Sequence, residues 1–486
     1  MTFFPETQDA YSLEGLVAFA GELIRKNKEE DEETAKTSVC LAIAGGGGHA
    51  ISTLSSTPGA SALLLEGTVA YDRKSYCTYC DLPTNTKGFK YSSFTAAEMA
   101  SEAALKRALN YISTNNLRGM SGCIGVGCAS SLVTSSVQGS TRSHANIVAT
   151  AANGRQLYLN VTLAGKQDGV TRSRMEEDHF VSNLVLRAIE CLRLATSGKV
   201  SNCVTTTELG DTIDEQWSGS LGDGGSDDDD HDAPFIAANR ILSGKAQAAL
   251  LLPIRSGVST KFRALKYPVV PSGSLIFPGS FNPPHDGHVT LARAAVKAAK
   301  NTLAEDERSR TLEPPIFFEL SLINADKPSI DPITVSDRLN RMLELQGLPE
   351  KWGVLLTRAP LFSEKLTCIN ECILDTSHGP LPKVSFVIGS DTMLRIVDPK
   401  YYGHKHSTMV ETIRSMEGVH FVVGGRLEQN KDNSAPRRFV EGGKELQGLP
   451  EDIQDMFTII QEKDFRVDIS SSEIRQLEKT NGATDS

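Results

Sequence analysis

The sequence predicts an α/β protein of two domains joined by an acidic linker. Three observations carry this. Short apolar runs, among them Val39 to Ala44, Leu275 to Phe277 and Ile316 to Leu320, have the length of buried strands and alternate with longer stretches of helical periodicity. One of those strands runs through a proline- and glycine-rich turn straight into a helix, the corner on which open α/β sheets place ligands. Between Asp211 and Asp232 the chain carries nine acids and neither Lys nor Arg, beside a Ser/Gly-rich stretch from Ser218 to Ser226. The expected boundaries are a domain at 1–200, a flexible linker at 201–233 and a second domain at 234–486.

The bounds agree with this. A chain of 486 residues holds two or three domains, and 40% apolar residues supply the cores. The net charge is −10, and the linker accounts for nearly all of it. No basic domain argues for a nucleic-acid partner. No apolar run is long enough to span a membrane. The N-terminal acids Glu6 and Asp9 argue against a transit peptide, so a cytoplasmic location is expected. The nine cysteines read as reduced thiols. Cys77 and Cys80 form a lone C-x-x-C without the second pair a zinc site needs, so no metal site is expected.

In chain order, Ser12 to Lys28 suits an amphipathic helix, with Leu13, Leu16, Val17, Phe19, Ala20, Leu23 and Ile24 on its apolar side. Val39 to Ala44 is a strand ending in the run Gly45 to Gly48, a weak phosphate signal by itself. Ser61 to Tyr71 reads as a second buried strand region, and Thr95 to Glu98 as a capping box opening a helix to Ser113. Ser121 to Gly127 and Gln156 to Ala164 read as strands, and Glu176 to Leu194 as a helix. After the linker, Phe235 to Leu252 looks helical.

The chemistry concentrates at Leu275 to His288. His285 and His288 lie three apart on the first turn of the helix and share a face. Gly287 between them lets a ligand approach the backbone, and Gly279, Ser280, Phe281 and Asn282 form the turn. A helix N-terminus with two imidazoles suits phosphate, and in-line attack on a nucleotide α-phosphate needs little beyond positioning and electrostatics. The bland alternatives are a turn with two exposed histidines, or an H-x-x-H metal site that lacks a third ligand. Near the C-terminus, Ser470, Ser471 and Ser472 precede a helix with Arg475 one turn in. That is an anion cradle or, read alone, a helix cap. Lys327 stands in a loop after the strand Ile316 to Leu320, either as a phosphate contact or as a solvated lysine.

The two motifs G-S-F-N-P-P-H-D-G-H and I-S-S-S-E-I-R resemble those of the HxGH nucleotidylyltransferase superfamily, and most of all the nicotinamide or nicotinate mononucleotide adenylyltransferases. The resemblance covers roughly residues 272–478 and includes Phe386 to Asp391, similar to the family's strand ending in G-x-D. It implies a Rossmann-like parallel sheet, ATP as substrate and Mg2+ as cofactor. It implies that His285 and His288 stabilise the phosphates as pyrophosphate leaves, that Ser471, Ser472 and Arg475 grip the β/γ-phosphates, and that Asp391 orients a ribose or the metal.

The N-terminal half resembles the CinA C-terminal domain family, the nicotinamide-nucleotide amidases, over roughly residues 12–197. The carriers are Gly47-Gly48, Pro58 to Ser61, Gly67 to Tyr71 and Ala97 to Ala100. Set without gaps, the family's E-S-C-T-G-G falls on Ile43 to Gly48, so Ala44 stands where the serine nucleophile belongs. The family's lysine falls on Tyr76. The resemblance implies an α/β domain without amidase chemistry, serving ligand binding or homo-oligomer formation. The function expected is AMP transfer from ATP to a pyridine mononucleotide or related phosphomonoester. The alternatives are cytidylyl transfer and a non-catalytic pyridine-nucleotide sensor. Glu428 to Pro436 reads as a lid.

Overall fold

The unbroken apolar run Val39 to Ala44 folds as a strand buried on both faces. The computed structural model describes residues 11–466, apart from 31–35, 85–87, 114–115, 135–141, 197–210, 219–232, 257–258, 303–312, 324–327, 373–383, 417, 428–438 and 441–442. The chain divides into two units, Met1–Asp230 with Ile254–Ser259, and His231–Pro253 with Thr260–Ser486.

The first unit runs α1 (Leu13–Glu29), β1 (Ser38–Ala44), α2 (His49–Ser56), β2 (Leu64–Val69), α3 (Arg73–Tyr79), α4 (Phe94–Ser113), β3 (Cys123–Ser131), β4 (His144–Ala151), β5 (Gln156–Thr162), α5 (Arg174–Thr196) and β6 (Thr212–Ser218). Its sheet has the order β2-β1-β3-β4-β5-β6. β1 pairs in parallel with β2 and β3, and the remaining pairs are antiparallel. Val39, Leu41 and Ile43 share one core with Leu23 of α1, Leu54 of α2 and Val185 and Leu192 of α5. Across the sheet, α4 lies almost on β3. A Cβ at Gly125 would come 2.2 Å from the Ser101 carbonyl oxygen, and one at Gly127 would come 2.0 Å from that of Ala97. The two glycines are therefore the condition for this close packing.

Four expectations change here. β2 is an edge strand with partly exposed residues, not a buried one, because only β1 flanks it. The cap of α4 is Ser93, whose Oγ accepts the Ala96 N–H at 3.3 Å, so Thr95 lies inside the helix. The stretch assigned to the linker contains β6, which pairs with β5 from Thr162↔Thr212 to Gln156↔Ser218. Thr212, Asp214 and Gln216 form its solvated face, Ile213 and Glu215 are half-buried on the other, and Asp211 just before it is drawn into a buried ion pair with Arg172 at 2.5 Å. Finally, Cys40, Cys77, Cys80, Cys123, Cys128, Cys368 and Cys372 are free thiols, as expected, whereas Cys191 is disulfide-bonded.

The second unit runs α6 (Ala233–Leu242), β7 (Ala248–Ser256), β8 (Ser259–Ala264), β9 (Ser274–Pro278), α7 (Asp286–Thr302), β10 (Ile316–Ser321), α8 (Pro332–Leu343), β11 (Trp352–Thr357), α9 (Phe362–Cys372), β12 (Val384–Gly389), α10 (Ser390–Ile396), α11 (His406–Arg414), β13 (Val419–Gly424), β14 (Arg426–Leu427), β15 (Phe439–Val440), α12 (Glu451–Gln454) and β16 (Phe457–Ile459). The main sheet has the order β16-β13-β12-β9-β10-β11-β7-β8. Every pair from β16 through β11 is parallel, and β7 closes against β11 in antiparallel register. This is the Rossmann-like sheet the sequence led us to expect. Phe317, Phe318, Phe386 and Phe421 are wholly buried in it, each contributing about 1.5–3 kcal/mol by burial. The helix expected from Phe235 to Leu252 ends at Leu242. Gly244, at φ +76°, turns the chain, and the apolar residues from Ala248 pair as β7 instead. A run of Ala and Leu fits either element by periodicity, and the open edge of β11 decides it.

Candidate active site

The corner between β9 and α7 is held from several sides. The Gly279 N–H donates to the Glu319 carbonyl of β10 at 3.0 Å. Arg338 of α8 donates from Nη1 to the Ser280 carbonyl at 2.9 Å. Phe281 takes φ +44° and turns its ring wholly inward. There it packs edge-on against Phe277 at 5.7 Å, Phe318 at 5.5 Å and His288 at 5.1 Å. The peptide Asn282–Pro283 is cis. Ser280 is exposed, Asn282, His285 and His288 are half-buried, and Gly287 is buried.

The two imidazoles lie with ring centroids 3.9 Å apart. Their protonation is set by the backbone. The His285 N–H donates to His288 Nδ1 at 3.1 Å, and the Gly287 N–H donates to His285 Nδ1 at 3.1 Å. A ring nitrogen that accepts carries no proton, so each neutral ring is the Nε2–H tautomer. Burial keeps both rings neutral, lowering His285 and pushing His288 down to about 3, where the neighbouring His285 adds to the effect. The corner therefore presents two paired N–H donors beside the first turn of α7.

The site's place in the sheet follows from strand order. From β9 the chain moves to β10 and β11 on one side, then to β12, β13 and β16 on the other. The β9/β12 crevice is thus the topological switch point, where such sheets bind ligands. β12 delivers Asp391 there, in the first turn of α10 and folded back over Gly389. The structure brings Gly279, Ser280, Phe281, Asn282, His285, Gly287 and His288 together in one corner and puts Asp391 at the end of the adjoining strand. Lys327, Ser470, Ser471, Ser472, Arg475 and the stretch Glu428 to Pro436 lie outside the described residues. Sequence reading missed Arg338 as the clamp on Ser280, since nothing local separates it from an ordinary polar-face arginine. Among the described residues, no group of three or more His, Cys, Asp or Glu is arranged to hold a metal ion.

At the same edge of the first unit, Ala44 ends β1, its methyl group buried. Tyr76 is a core residue, 2% exposed, with its hydroxyl donating to the Ala96 carbonyl at 2.6 Å. Three N–H groups of the glycine loop and the start of α2 are already taken by side chains. Gly46 donates to Ser130 Oγ at 2.6 Å, and Gly47 and His49 donate to the Asp178 carboxylate at 2.7 and 3.3 Å. Burial pushes the Asp178 carboxyl up, but His49 and the two N–H groups outweigh it and hold the group below its ordinary range. Gly45 and Gly47 take φ +98° and +102°, which fits glycine to this loop.

No protein-family model matches the chain. A relative from Schizosaccharomyces pombe, named "Putative nicotinamide mononucleotide adenylyltransferase", is 28% identical over 163 residues, which is 33% of this chain and 57% of that protein. The chain therefore spans little more than half the length of the curated relative it matches. Among solved structures, the competence/damage inducible protein CihA from Agrobacterium tumefaciens is 18% identical, with TM-score 0.27 over 40% of this chain and 99% of that one. A CinA superfamily protein from Escherichia coli is 13% identical, with TM-score 0.26 over 38% of this chain and 92% of that one. Over those 163 residues the chain is thus similar to a protein named as a putative nicotinamide mononucleotide adenylyltransferase.

Proposed function

We propose that the second unit transfers AMP from ATP to a pyridine mononucleotide or a related phosphomonoester, releasing pyrophosphate. The observation that carries this is the histidine pair, two neutral rings with matched Nε2–H donors at the switch point of a parallel sheet. An oxygen of the acceptor's phosphate attacks the α-phosphorus in line, and the bond to the β-phosphate's bridging oxygen breaks. His285 and His288 donate from Nε2 to phosphate oxygens as charge builds on the leaving group. Fixed donors of this kind need no reorganisation when the charge arrives. Gly287 allows the nucleotide close to the backbone, and Ser470, Ser471, Ser472, Arg475 and Lys327 are proposed to grip the remaining phosphates. Mg2+ fits such a site without a built cage, since it binds mainly through phosphate oxygens and water. Asp391 is the carboxylate proposed to meet it, and the ion would offset phosphate charge.

The first unit is proposed to lack amidase activity, because a buried methyl group and a buried core tyrosine occupy the positions of the nucleophile and the lysine. The deciding experiment supplies ATP or CTP with several phosphomonoester acceptors and measures pyrophosphate release. ATP with a pyridine mononucleotide should give the fastest turnover. Preference for CTP would move the assignment to cytidylyl transfer, and no turnover with any pair would make the unit a nucleotide sensor.

A further inference from the structure

The first unit holds a histidine pair of its own, which adenylyl transfer does not use. His49 Nδ1 and Asp178 Oδ2 are 2.5 Å apart. Asp178 is a charged acceptor, so Nδ1 carries the proton and Nε2 of the neutral ring keeps its lone pair. The His49 side chain is 36% exposed. His179, 7% exposed, stands edge-on to it with ring centroids 4.6 Å apart. Its Nε2 is buried with no hydrogen-bond partner. The group lies past the end of β1, where the chain goes to β2 on one side and to β3 on the other, the switch point of this sheet.

We propose that His49, oriented by Asp178, is the catalytic base of a second site, one that hydrolyses small uncharged esters with good leaving groups. Two features set this class. Asp178 already fills the N–H cradle after β1, so a phosphate or carboxylate would meet a fixed negative charge there. The same donors are then lost as an oxyanion hole, in which one donor typically contributes ~100–1,000-fold. What remains is general-base catalysis, typically ~100–10,000-fold. That suffices for an aryl ester or thioester and falls short for an amide. Val69, Tyr71 and Met175, 49%, 69% and 61% exposed, offer apolar contacts at this edge.

In the step itself, His49 Nε2 takes a proton from water as the water oxygen bonds to the acyl carbon. The tetrahedral intermediate collapses, the bond to the leaving oxygen or sulfur breaks, and the proton on Nε2 passes to that leaving group. A carboxylic acid is released and the neutral ring is restored. None of this depends on adenylyl transfer in the second unit.

The test uses the full chain and p-nitrophenyl acetate. The protein should turn the ester over faster than an equal concentration of free imidazole. His49→Ala should lower the rate about 100-fold or more, down to background, and added imidazole should restore part of it. Asp178→Asn, which changes a positioning residue, should lower kcat while leaving KM nearly unchanged. If that variant fails to fold, His49→Ala with its imidazole rescue decides alone. A His49→Ala protein that keeps the wild-type rate, or a wild type no faster than free imidazole, overturns the proposal.

Discussion

Lowering the pH from about 7.5 to about 5 should destabilise the second unit through His288. Burial, then His285, pushes this ring from its ordinary 6.5 down to about 3. Because the folded value lies below the unfolded one, the unfolded chain takes up the proton first as pH falls. The stabilisation is therefore complete above 6.5 and is lost as pH drops from there toward 3. At pH ~5 this single group removes about 2 kcal/mol, a substantial share of a domain's net stability. The chain has two tryptophans, and Trp352, 8% exposed in β11, belongs to the second unit. In a Trp217→Phe background its fluorescence follows that unit alone through urea unfolding. His288→Asn keeps an acceptor for the His285 N–H but cannot take the proton. The protein with His288 should lose about 2 kcal/mol more than the Asn variant between the two pH values. Equal losses would refute the claim that His288 is held neutral by its surroundings.

Other outcomes follow from the same structure. His288→Ala should keep its fold and lose ~100–1,000-fold in kcat for pyrophosphate release, as expected for one donor aimed at developing charge. Arg475→Ala should raise the KM for ATP and lower kcat while leaving acceptor binding unchanged; unaltered ATP kinetics would reduce the serine-rich stretch to a helix cap. Asp211→Ala leaves the buried Arg172 guanidinium without its carboxylate, and should cost the first unit about 3–5 kcal/mol in denaturant unfolding. For the same reason a fragment ending at residue 197 should melt earlier than one ending at 230, which keeps β6. Gly127→Val forces a side chain into the Ala97 carbonyl and should lower the melting temperature, at a cost of about 1–3 kcal/mol or more.

The two histidine pairs show how backbone geometry sets opposite chemistry on one residue type. At the β9–α7 corner, N–H groups donate to Nδ1 and fix Nε2 as a donor. After β1, a carboxylate accepts from Nδ1 and fixes Nε2 as a base. Donors suit charge building on a phosphate, and a base suits activation of water.

The sequence alone determined the strand–corner–helix unit at Leu275 to His288, because an apolar run, a proline-rich turn and a helical stripe are local signals within some twenty residues. The parallel character of the second sheet was implied by the family resemblance, and strands such as Val384–Gly389, buried along nearly their whole length and paired in parallel, agree with it. The resemblance of the first half, rather than any local pattern, set Ala44 and Tyr76 against the family's serine and lysine. Tertiary structure alone decided the rest. Whether Ala248 to Leu252 is helix or strand depends on the open edge of β11, which is more than 90 residues away. Whether an acid-rich stretch becomes linker or β6 depends on β5 and on Arg172. The glycine run gave a phosphate signal that Asp178, far along the chain on α5, cancels by supplying its own anion. The tautomers of His49, His285 and His288 depend on which partner reaches each Nδ1, and local composition carries no record of that. Periodicity reports which face of an element is buried, but not which distant atom will meet it there.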